Sequence, residues 1–212
     1  MSLLMAVLAA AAPVSTPAPS IAPVMVQSDI PGLVTSEDYP LDAAQAGRSV
    51  AATVEIRVDP NGRPIGCSVV QALGDAPLAE QVCTLAMRRR YGAARLMSGA
   101  AAHARVVTLV RMWVPGSADA ERVAATRLAP DYEVRLGALP GNSGKATDVR
   151  MVLETNRAGK VTQCGAMNDA QADLAAAICK VRTIFHTEPF KDGRGSNVAY
   201  VTEATVRVYA GE

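Results

Sequence analysis

Aromatic side chains are scarce in this chain: one Trp, five Tyr and two Phe among 212 residues. Stacking platforms for bases or sugars are therefore not expected. An excess of either charge is missing as well. Twenty-one Lys and Arg stand against 20 Asp and Glu, a net charge of +1, which excludes the broad basic surface of a general nucleic-acid binder. There are only two histidines, His103 and His186, and neither has partners at the offsets of a metal site or a catalytic triad. Both are expected to be solvated, and no cofactor is implied. The stretch His186–Phe190 offers His186 and Glu188 as two ligands without a third. Gly141–Lys145 (GNSGK) lacks the hydroxyl residue after the lysine that a phosphate loop needs, and it reads as an ordinary loop.

A run of membrane length is also lacking. Leu3–Ala12 is unbroken and apolar but only ten residues long, against about 20 for a spanning helix. It sits within 28 uncharged residues and is followed by small residues and prolines, the pattern of a secretory signal, although no Lys or Arg precedes it. Residues 1–20 are expected to be that signal, residues 21–35 a Pro-rich linker, and the mature chain to have no transmembrane span. Export would carry the cysteines into an oxidising compartment.

What the chain does have is one pattern written twice. Val54, Ile56 and Val58 alternate with Glu55 and Arg57, as in a half-buried strand. Asp59-Pro60-Asn61-Gly62 is a turn signal, and Ile65–Ala72 a second strand. Pro77 suits a first helical turn, with Leu78, Val82 and Leu85 at helix spacing. Ala104–Val114 is a third, more apolar strand. The order returns after a linker at 116–130: strand 147–155, turn 157–160, strand 161–167, helix 169–185 and strand 197–209. Gly62 lies five residues before Cys67, and Gly159 five before Cys164. Leu78, Val82, Cys83 and Leu85 match Leu174, Ile178, Cys179 and Val181 at identical spacing. Asp38-Tyr39 and Asp131-Tyr132 extend the match upstream. The pattern predicts an internal duplication of class α+β. It would comprise two tandem small domains, 36–115 and 131–212, each an antiparallel three-stranded sheet carrying one helix in the order strand-strand-helix-strand.

Each repeat places one cysteine on its second strand and one on its helix, 16 and 15 residues apart. Four cysteines allow three connectivities. The duplication selects Cys67–Cys83 and Cys164–Cys179, with a zinc site and free buried thiols as the rival readings. Arg88-Arg89-Arg90 reads as a solvated basic helix end complementing the helix dipole, and Trp113 as a core or edge-covering residue.

The first repeat resembles the C-terminal domain family of TonB, the periplasmic energy transducer. The residues that carry the resemblance are Asp38–Pro40, Ala43, Gly47, Val54–Pro64, Cys67–Val70, Gly74, Leu78, the Arg-rich helix end before Tyr91, Ala93-Ala94 and Gly99. The second repeat is similar in Asn156–Cys164, in its helix and in Phe185–Pro189. The resemblance implies a periplasmic, non-enzymatic protein-binding module. Its partner would be a protein or peptide of the cell envelope, such as an outer-membrane transporter, added as a strand to an exposed sheet edge. Carried over by position, that edge comprises Arg105, Val107, Thr108, Leu109, Arg111 and Trp113 in the first repeat, and Val201, Thr205 and Arg207 in the second. A chain with no long spacer is not expected to transmit energy. The alternatives are a structural envelope protein whose edges pair between repeats or in a homodimer, and a periplasmic enzyme.

Overall fold

The computed structural model describes residues 33–137 and 146–210. The expected signal, most of the Pro-rich linker and the Gly141–Lys145 loop lie outside these residues. The first half opens with the short helix α1 (Leu41–Gln45) and continues through strands β1 (Val50–Val58) and β2 (Pro64–Gly74), helix α2 (Ala76–Ala86), the two-residue strand β3 (Ala94–Arg95) and strand β4 (Ala101–Met112). Helix α3 (Ala120–Ala125) lies in the expected linker. The second half holds β5 (Tyr132–Leu136), β6 (Thr147–Thr155), β7 (Val161–Ala166), helix α4 (Ala172–Lys180), the short strands β8 (Phe190–Lys191) and β9 (Asn197–Val198), and β10 (Tyr200–Ala210).

Local chemistry explains the elements that the sequence announced. The Asp59 carboxylate accepts the backbone N–H groups of Asn61 and Arg63, and Asn156 does the same for Ala158 and Lys160. Gly62 and Gly159 close these turns at positive φ, 75° and 77°, a region that costs a side-chain-bearing residue about 1–2 kcal/mol. Helix α2 starts where the Asp75 carboxylate accepts the Leu78 N–H, with Pro77 in the first turn. Its Leu78, Val82 and Leu85 are buried, as the spacing predicted. Helix α4 is shorter than expected, because single 3₁₀ turns at Asp169–Gln171 and Arg182–Ile184 take up its ends. Both predicted disulfides are present, Cys67–Cys83 with Cα atoms 5.4 Å apart and Cys164–Cys179 with Cα atoms 5.9 Å apart.

The class is α+β, but the two separate three-stranded sheets expected from the sequence are instead one sheet. Eight strands share it, in the path β2-β1-β4-β10-β6-β7, with β3 added to β4 and β5 added to β10. The join is a parallel ladder between β4 and β10: His103 with Tyr200, Ala104 with Val201, Arg105 with Thr202. Each partner lies ninety-seven positions from the other, the same offset that separates Gly62 from Gly159 and Cys67 from Cys164. Measured by each strand's own partner, Ala104 opposite Val58 corresponds to Tyr200 opposite Thr155, so the ladder joins the halves one residue out of equivalence and turns their helix-bearing sides to opposite faces.

This junction decides where the helices go. Directly opposed residues of a ladder share a face. Thr108 opposes Val54, and Val201 opposes Ala104, so all four point to the side of α2. There Val54, Ile56, Ala104, Val106 and Val82 form one core, which Val152 and Val201 enter from the second half. Tyr200, Ala204, Val206 and Val208 point to the other side, where Ile178 of α4 packs over Met151, Leu153 and Val161. The two helices thus lie on opposite faces of a shared sheet. Each core includes about ten or more buried apolar side chains, each worth roughly 1.5–3 kcal/mol when fully removed from water.

Asp38-Tyr39 and Asp131-Tyr132 are not equivalent. The first pair leads into α1, where the Tyr39 hydroxyl donates to the Arg48 carbonyl, whereas Tyr132 begins β5. His103 also departs from expectation. It is half-buried, with its ring centroid 5.7 Å from that of Phe190, which in turn stacks on Tyr200 at 5.1 Å.

Candidate protein-binding edge

The third strands of both halves were the expected edges, and they meet in the middle of the sheet. β10 has β6 along one side over Tyr200–Val208. Its other side is taken in sequence by β4 at Tyr200–Thr202, by the Asp131 N–H donating to the Thr205 carbonyl at 2.8 Å, and by parallel β5 from Val206 to Ala210. The Thr205 N–H returns a bond to the Asp131 carboxylate at 2.7 Å. Val201 is a buried core residue, and Arg207 holds Asp148 through two nitrogens at 2.7 and 2.9 Å. Neither lies on a free edge, contrary to the sequence expectation. The reason is β5, whose alternation of Tyr132, Val134 and Leu136 with Glu133 and Arg135 is a strand signal inside what read as the start of a domain.

β4 differs. One side is paired with β1 over Ala104–Met112. The other side meets β3 at Ala101-Ala102 and β10 at His103–Arg105, and from Val106 to Met112 it carries no ladder among the described residues. Past Arg105 the strands β4 and β10 separate, and the wedge between them is a cavity of about 280 Å³ lined by Val107, Thr108, Leu128, Asp131, Glu203 and Thr205, among others. A 7-residue strand of ordinary geometry spans about 23 Å, so the unpaired stretch is long enough for a short extended peptide. Leu128, exposed at the wedge, belongs to the segment after α3 that the sequence marked as linker.

The predicted site residues on β4 divide by face. Thr108 is buried on the side of α2. Arg105, Val107 and Leu109 are half-buried on the other side. Arg105 pairs with Glu55 at 2.7 Å. Burial works against its charge, and Glu55 more than offsets that, leaving the guanidinium above its usual pKa. Arg111 donates to the carbonyls of Ala124 and Thr126, which fixes α3 against this face. Trp113 lies one residue beyond the end of β4 and is exposed, so it neither fills the core nor belongs to the strand.

A second cleft, about 220 Å³, lies on the face of α4 between Arg105, Glu55, Arg57 and the segment Glu188–Lys191. The Tyr200 hydroxyl closes one end by donating to the Glu188 carbonyl at 2.8 Å. His103 lies at the same junction. Burial lowers its pKa, with Asp192 and Asp59 pulling the other way.

No curated protein and no solved structure matches the chain. Residues 35–110, which run from the turn before α1 through most of β4, match the family described as the Gram-negative bacterial TonB protein C-terminal.

Proposed function

We propose that the chain is a non-enzymatic protein-binding module of the periplasm, built by duplication of a TonB C-terminal-like unit, and that it accepts an extended segment of a cell-envelope partner beside β4. The observation that carries this reading is the Val106–Met112 stretch of β4, which has β1 on one side and an open wedge on the other. An incoming strand there would find unpaired backbone groups, with Thr108 and Thr205 on the two walls. An outer-membrane transporter is the partner class that the family suggests. Two disulfides favour an oxidising compartment.

A second reading has its own observation. β10 has strands on both sides at Tyr200–Thr202 and again from Val206, which favours a structural envelope protein whose edges its own halves satisfy. In-cell photo-crosslinking from Leu128 and Thr205, with Val70 on the far edge as a reference position, separates the two. Adducts to a transporter from Leu128 or Thr205 but not from Val70 support strand addition in the wedge. Adducts confined to the chain itself overturn it in favour of the structural reading.

A further inference from the structure

The turn between β1 and β2 is pressed onto the chain that leaves α2. The Tyr91 N–H donates to the Gly62 carbonyl at 2.9 Å, and the approach is so close that a Cβ on Gly62 would collide with the Tyr91 carbonyl. This contact sets Arg63 beside Arg88, Arg89 and Arg90 around a shallow groove of about 340 Å³ that also holds Pro64 and Met87. Arg89 is committed: it reaches the Asp38 carboxylate at 3.2 Å and the Leu33 carbonyl at 3.3 Å. Arg63, Arg88 and Arg90 are exposed and make no ion pair among the described residues. Met87, in their midst, is 42% exposed.

The second half does not repeat the cluster. Ninety-six positions on, the offset between the helix cysteines Cys83 and Cys179, the three arginines are replaced by Ile184, Phe185 and His186. The concentration of charge is therefore not a by-product of the fold, and it stands out on a chain whose net charge is +1. The place of the patch is also specific. Arg89 grips Leu33, in the expected Pro-rich linker, and leaves the other three arginines turned outward around the groove.

We propose that Arg63, Arg88 and Arg90, with Met87 among them, dock onto the phosphate groups of an anionic membrane surface and hold this end of the sheet against it. Guanidinium groups match phosphate oxygens in pairs. Each basic residue at an anionic surface strengthens binding about fivefold, and an apolar side chain between them enters the interface. The inference stands apart from the strand-binding reading, because the patch and the wedge share no residue.

Vesicle flotation of the full chain tests it, with phosphatidylcholine vesicles prepared with and without phosphatidylglycerol. Binding to the neutral vesicles is the baseline, and the patch is read as the gain on adding the anionic lipid. Replacing Arg63, Arg88 and Arg90 by Ala is expected to reduce binding to the anionic vesicles by about a hundredfold, since three arginines are removed. A charge-matched variant, R157A/R182A/R194A, is expected to keep the gain. The proposal is overturned by equal binding of the parent to both vesicles, or by an equal loss in both variants. It is also overturned if free inorganic phosphate abolishes the gain while sulfate at equal ionic strength does not, which would make the patch a site for soluble phosphate.

Discussion

Gly62 and Gly99 both sit at positive φ, 75° and 83°, yet they face different surroundings. Around Gly99 nothing lies within 4 Å of an added Cβ, whereas at Gly62 the Tyr91 carbonyl occupies that space. Alanine at Gly99 should therefore cost only the left-handed backbone penalty, about 1–2 kcal/mol. Alanine at Gly62 bears the same penalty and must also push the turn off the α2 exit. That breaks the Tyr91-to-Gly62 hydrogen bond, worth about 1 kcal/mol. It also loosens the buried Tyr91 ring, whose hydroxyl donates to Ala86 at 3.0 Å and whose pKa burial pushes up to about 12. Partial loss of that packing adds roughly 1–2 kcal/mol, for a total near 4 kcal/mol. The second half supplies a replicate. Gly159, where an added Cβ would lie 2.6 Å from the Glu188 carbonyl carbon, should behave like Gly62, and Gly195, with open space around it, like Gly99. Urea unfolding of the four alanine variants with disulfides intact measures all of this. If G62A and G99A fall within about 0.5 kcal/mol of each other, the crowding at the turn is not what selects glycine there, and the reasoning fails.

Three further outcomes are expected. Replacing both Cys67 and Cys83 by Ser opens a loop of 16 residues and should lower stability by about 3 kcal/mol, read by urea unfolding, with reductant bringing the parent to a comparable or lower value. Because burial lowers the pKa of His103 in the folded chain, the fold favours the neutral ring. Stability from this group is full above about pH 6.5 and is lost as pH falls through the lower folded value, so H103Q should flatten the decline between neutral and mildly acidic pH in parallel unfolding series. Removing the Asp131 carboxylate (D131A) leaves the Thr205 N–H without its partner and should cost about 1–2 kcal/mol while raising amide exchange at Thr205.

The ββα order, both disulfides and the turn glycines were legible in the sequence because each depends on neighbours within about 25 residues. Asp59, Gly62, Cys67 and Cys83 carry that information in their spacing. The merger of the halves was not legible in this way. The ladder from His103–Arg105 to Tyr200–Thr202 is a backbone contact between distant segments, and no side-chain pattern marks an edge as taken. The helices' opposite faces follow from that ladder and were hidden with it. β5 was visible as an alternation at Tyr132–Leu136, but no partner could be assigned without knowing that β10 still had a side to fill. For the site, Thr108 and Val107 stand on the stretch of β4 that has no ladder on one side among the described residues. Val201 and Arg207 were misjudged because burial by a neighbouring chain segment leaves no trace in the residues it covers. The Arg88–Arg90 run was noticed, but its meeting with Arg63 depends on how the Gly62 turn folds back.

The strand that joins the halves is the last to be made. β10 ends at Ala210 and touches β4, β5 and β6, so a chain emerging from its N-terminus can close β1, β2, α2 and β4 long before the sheet has its centre. Until then β4 shows a full open side, and β5 and β6 lie parted with a strand's width between them. Such unpaired edges invite pairing with a neighbouring molecule. Removal of residues 200–212 would leave the chain in that state permanently, as a folded first half beside an unassembled second. Fast docking of β10 thus favours correct closure over exchange, because β10 then finds its own gap before another copy's β10 can fill it.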